Sequence, residues 1–180
     1  MTADSTAMAK YFLGTTPRCI RAFEVSKADE SKNENIAADA LYSSFDLCCP
    51  CGNPVMKVLG FNWTNPDSGD SVFIGPISTL CDRCTSAHQI FDIQDHGYDA
   101  ELGNGCWSAR GEGDPDKYLC AECSGDDFTI NVFFDFTDDL FDEDFDDARG
   151  RECDLFHWVN ISGTCTKCHA EQVVCDYECA

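Results

Sequence analysis

The clearest pattern in the chain is a period-two alternation in residues 128–136. Phe128, Ile130, Val132, Phe134 and Phe136 are apolar, with Thr129, Asn131 and Asp135 among the residues between them. Aromatic and β-branched side chains at every second position predict a half-buried strand. Residues 55–63 predict another (Val55 to Trp63), with a looser alternation. Near the N-terminus, residues 19–25 read as a strand and residues 26–35 as a polar loop. Ile36, Ala40, Leu41 and Phe45 fit one face of a short helix. Residues 95–117 carry Gly97, Gly103, Gly105, Gly111 and Gly113, which marks turns rather than a regular element. The fold class expected is therefore mainly β with a short N-terminal α segment.

Cysteine sets the next level of organisation. Cys-x-x-Cys pairs occur at Cys48/Cys51, Cys81/Cys84, Cys120/Cys123 and Cys165/Cys168. One such pair grips a metal from a tight turn, and two pairs complete a tetrahedral thiolate cage. The simplest assignment joins Cys48, Cys51, Cys81 and Cys84 in one site and Cys120, Cys123, Cys165 and Cys168 in the other. Cys49 could replace Cys48, but the two-residue spacing to Cys51 favours Cys48. Soft thiolate donors suit Zn(II), and iron in a similar four-sulfur site is the alternative. His88 and His169 lie close enough behind their pairs to replace a thiolate. Two structural zinc ions are the expected cofactors, since a closed four-sulfur site leaves no open position for substrate.

The chain also repeats itself. Aligning Cys81 with Cys165 places Ile77-Ser78 on Ile161-Ser162 and residues 90–93 on 174–177 without a gap. Upstream, Cys48, Cys51 and Gly52 match Cys120, Cys123 and Ser124, each followed by a strand-like run. Each unit reads cysteine turn, strand, turn, strand, cysteine turn, strand. That order resembles the zinc ribbon of the rubredoxin-like class, here in tandem. The expected division is an N-terminal segment at 1–46, a first unit at 47–94, a Gly-rich connector at 95–118 and a second unit at 119–180. An acidic insertion occupies 137–152 of the second unit. The class serves many roles, so the resemblance implies an architecture and no single function.

Charge narrows the partners. Against 12 Lys and Arg stand 33 Asp and Glu, a formal net charge of -21. Such a field repels nucleic acid and anionic membranes and attracts basic proteins. The acids are densest around Asp138, Asp139, Asp142, Glu143 and Asp144, with Phe141 and Phe145 among them as candidate anchors for a basic partner. The segment lacks the glycine and terminal glutamate of a calcium loop. No signal-peptide pattern opens the sequence and no apolar run is long enough to span a bilayer, so a reduced, cytoplasmic setting is expected. The sequons at Asn62 and Asn160 are then chance matches.

Six cysteines remain outside the pairs: Cys19, Cys49, Cys106, Cys153, Cys175 and Cys179. They read as small buried hydrophobes, with a third metal site from Cys175, Cys179 and a distant histidine as the alternative. No phosphate loop, nucleophile elbow or zinc-protease motif appears. The expectation is a non-enzymatic, acidic zinc protein that binds and inhibits a basic protein, as an immunity protein or antitoxin does. Two alternatives are an adaptor of transcription or translation machinery, and an enzyme using His96, Asp99, Cys106 or Arg110 in the connector.

Overall fold

A computed structural model describes residues 15–28, 41–66, 68–96, 110–136 and 152–179. The elements are β1 (Glu24–Lys27), β2 (Leu41–Cys48), β3 (Lys57–Thr64), β4 (Ser71–Leu80) and β5 (Ala87–Phe91). A single helical turn, α1 (Ile93–His96), precedes β6 (Asp116–Lys117), β7 (Phe128–Phe136), β8 (Trp158–Cys165) and β9 (Glu171–Glu178). They form two antiparallel sheets, of order β1-β2-β7-β8-β9 and β5-β4-β3-β6. No helix among the described residues is long and apolar enough to cross a membrane.

The alternation of residues 128–136 becomes β7, whose odd-numbered face packs outward while Phe128, Ile130, Val132, Phe134 and Phe136 are buried. The two repeat units give equivalent meanders, β3-β4-β5 and β7-β8-β9. They even share a defect: the ladder shifts register between Ile77 and Ser78 in one, and between Ile161 and Ser162 in the other. A bulge at matched positions is a local consequence of matched sequence.

The strand that leads into each unit pairs with the other unit. β2, just before the first cysteine turn, adds to β7 through pairs such as Leu47↔Ile130 and Phe45↔Val132. β6, just before the third, adds to β3 through Leu59↔Lys117 and Gly60↔Asp116. Met56 follows Cys51 and Phe128 follows Cys123 by the same five residues. These two equivalent residues exchange both backbone hydrogen bonds, at 2.9 and 3.0 Å.

The N-terminal reading needs correction. Leu41 and Phe45 belong to strand β2 and not to a helix. Residues four apart share a face in a strand as well as in a helix, so their spacing does not separate the two. The edge of β7 decides it, by offering β2 a full ladder of partners. Ile36 and Ala40 lie outside the described residues. Of residues 19–25, Cys19 and Ile20 close a 3-10 turn, and the strand begins only at Glu24.

The sheets meet over an aromatic core. Phe91 of β5 packs against Tyr177 of β9 and against Phe156, at ring-centroid distances of 5.3 and 6.1 Å. Phe156 in turn lies 4.7 Å from Phe134. The Gly75 amide of β4 donates to the Tyr177 hydroxyl, satisfying the one polar atom that Tyr177 brings into this interior.

One half-buried cation ties the two units together. Lys57 Nζ, at the start of β3, sits 3.0 Å from Asp82, 3.0 Å from Asp126 and 2.9 Å from Asp127. Hydrogen bonding to Lys57 outweighs burial and holds the Asp126 carboxyl below its ordinary range. A depressed carboxyl contributes stability above its unfolded pKa and loses it as pH falls through the folded value. Lys57→Met leaves Asp82 and Asp127 without this cation and Asp126 with Lys117 alone, at 3.3 Å. It is expected to cost about 1 kcal/mol near neutral pH, since solvent screens the exposed acids. The penalty should shrink as pH falls below the ordinary carboxyl range and Asp126 protonates, which urea denaturation across pH would measure.

Candidate metal centres

Each centre is built by two hairpin-like cysteine turns. In the turns at Cys81, Cys120 and Cys165, the first cysteine accepts a hydrogen bond from the amide four residues on. That residue is Thr85, Ser124 or His169, and each has positive φ. The first cysteine's own amide donates to the carbonyl of Ser86, Gly125 or Ala170. This turn points both sulfurs of Cys-x-x-Cys to one side.

The fourth turn is one residue shorter. Gly52, at φ 78°, donates to the Cys49 carbonyl, and the Cys49 amide donates to Asn53. The first centre is therefore Cys49, Cys51, Cys81 and Cys84, and the second Cys120, Cys123, Cys165 and Cys168. The spacing rule had placed Cys48 where Cys49 stands. Cys48 is the last residue of β2, paired with Glu24 of β1. Successive side chains of a strand point to opposite faces, so Cys49, at 1% exposure, turns inward to the cage. Gly52 lets the short turn close, because it enters the left-handed region at no steric cost.

The donor set fits a thiophilic ion. Within each centre all four sulfurs lie within 4.8 Å of one another. The closest contacts are Cys49–Cys84 and Cys120–Cys168 at 3.5 Å, and Cys51–Cys81 and Cys123–Cys165 at 3.6 Å. A tetrahedral zinc with Zn–S near 2.3 Å needs sulfur–sulfur edges of about 3.8 Å. A disulfide would need about 2.05 Å, and no disulfide joins the described cysteines.

Ionisation points the same way. The Asn53 side-chain amide donates to Cys81 Sγ at 3.3 Å and is the main cause that lowers this thiol to about 6. The Cys168 backbone amide leads in lowering Cys165 to about 7. Burial pushes Cys49 up to about 12. Four sulfurs this close cannot all carry charge unless a cation sits between them. An ion there is fully ligated by protein and has no open position for chemistry.

Asn53 and Gln172 were not visible as site residues in the sequence. Gln172, on β9, donates to Cys120 Sγ at 3.4 Å, and its carbonyl oxygen accepts from the Ala121 amide. Their signal was weak: an amide beside a cysteine turn is common. Partners of this kind orient metal ligands, and their loss lowers affinity about 10–100-fold. Asn53→Ala is expected to weaken the first centre by that factor and leave the second unchanged. Competition with a chromophoric chelator would resolve the two classes.

The remaining candidates do not gather into a further centre among the described residues. Burial raises the thiols of Cys19, Cys175 and Cys179, the last to about 12, as suits small hydrophobes. His88 packs edge-on against Phe23. His169 holds its turn through a positive φ. In the connector, Arg110 clamps Asp92 with two hydrogen bonds, at 2.7 and 3.1 Å. The Asp92 backbone amide donates to His96 Nδ1. Asp92 also caps α1 by accepting from Gln94, so this cluster fastens a corner of the fold. Asp99 and Cys106 lie outside the described residues. So do Asp138, Asp139, Phe141, Asp142, Glu143, Asp144 and Phe145. The chain matches no protein-family model, no curated protein and no solved structure.

Proposed function

We propose that this chain is a non-enzymatic binding protein in which two zinc-ribbon-like units, each stapled by a structural Zn(II), carry an acidic surface for a basic protein. Inhibition of that partner, as by an immunity protein or antitoxin, is the role we propose for this surface. The observation that carries the reading is the imbalance of 33 acids over 12 Lys and Arg. Such an excess steers a cationic partner into contact and repels nucleic acid. The metal centres support it by leaving no coordination position for a substrate.

The test is capture from the native source at low salt, followed by reconstitution from purified components. The expected result is a strongly basic protein whose association rate falls about tenfold or more as salt is raised. Recovery of only anionic or small-molecule ligands, or a nucleic-acid gel shift at low salt, would overturn it.

A further inference from the structure

The outward face of the five-stranded sheet is not covered by the second sheet, and it is ordered in rows. One row crosses Asp46, Asn131, Ser162 and Val173. The next crosses Ser44, Phe133, Asn160 and Asp176. The third crosses Tyr42, Asp135, Trp158 and Glu178. A trough of about 560 Å³ runs over β7, β8 and β9 between Phe133, Trp158 and Asp176. Its apolar part is unusually open, with Trp158 36% and Val173 58% exposed. Phe133 is backed by Tyr42 in a stacked pair at 5.5 Å.

Carboxylates give this face an excess of acceptors. The Trp158 indole and the Asn160 amide both donate to Asp176 Oδ1. The Asn131 amide donates to Asp46, and its carbonyl oxygen accepts from Ser44. The indole N–H and one hydrogen of each amide are thus spent on the face's own side chains. The second oxygens of Asp46 and Asp176 and the Asn160 carbonyl remain to accept. No ion pair reaches Asp176 among the described residues. A guanidinium needs only acceptors and a ring to stack on, and it supplies donors in a planar fork.

We infer that this face is the docking site for an arginine-bearing segment of the basic partner. Guanidinium groups stack on Trp158 and Phe133 and hydrogen-bond to Asp176 and Asp46. The inference rests on the reading of the chain as a binder of basic protein, and it names where and through which cation.

The experiment titrates the full chain with hexa-arginine and hexa-lysine peptides at low ionic strength, following heat or tryptophan fluorescence. Hexa-arginine is expected to bind about fivefold or more tightly than hexa-lysine. Trp158→Ala and Asp176→Asn should each weaken it about tenfold, and Trp158→Phe should restore most of the loss. The double change Glu112→Gln with Asp114→Asn, on exposed residues away from this face, should alter affinity less than about twofold. Retention of both metal equivalents shows that each variant is folded. Equal weakening by the control pair overturns the face while leaving the basic-partner reading intact. Failure of both peptides to bind overturns the two together. Binding of a neutral oligosaccharide, lost in Trp158→Ala, overturns the choice of a cationic occupant.

Discussion

Cys49→Ser is expected to remove one of two metal equivalents and abolish cooperative unfolding of the first unit, whereas Cys48→Ser should keep both. The two residues are neighbours of identical chemistry, so the contrast isolates geometry. Cys49 lies in a cage whose sulfurs approach to 3.5 Å, and Cys48 ends a strand on its opposite face. A structural zinc contributes about 10–16 kcal/mol of apparent folding free energy. That is as large as the whole stability of an ordinary domain, so loss of one centre cannot be absorbed. Elemental analysis with calorimetry on both variants decides the matter. Metal loss from Cys48→Ser and not from Cys49→Ser would sink the assignment. Stripping the wild-type protein with a strong chelator should reproduce the same collapse at both centres.

Phe91→Ala should cost about 3–5 kcal/mol, a typical value for truncating a fully buried ring. Phe91 is at 0% exposure and reaches Tyr177, Phe156 and His96, joining the two sheets. Its counterpart in the repeat is Cys175, which is also buried but much smaller. Cys175→Ala removes one sulfur atom and should cost only about 1 kcal/mol. Urea titration of the two variants would show the asymmetry as a shift in midpoint at unchanged slope. Equal costs would mean that the aromatic bridge is not what couples the sheets.

The parts of the fold that were legible in the sequence are local ones. The alternation in β7 needs only the pleat of a strand. The alignment of Ile77-Ser78 on Ile161-Ser162 needs only the repeat, and the register shift that the two places share became visible only in the ladders. The second centre lies at the cysteines that its spacing indicated. What escaped depended on distant partners. β2 reads as a helix until β7 is present to pair with it. The choice of Cys49 over Cys48 hangs on where that strand ends and on a turn one residue shorter than its three siblings. Lys57 looks like any surface lysine, and only the folded chain brings Asp82, Asp126 and Asp127 around it.

The exchange of leading strands carries a consequence for biosynthesis. β2 emerges from the ribosome long before β7, its neighbour in the finished sheet. Until then one rim of the growing polypeptide stays open, with unpaired amides and a bare apolar side. The first thiolate nest can take up its ion early, but that does not close the rim. Production in the cell should therefore be limited by sticking of unfinished chains rather than by the endurance of the completed molecule.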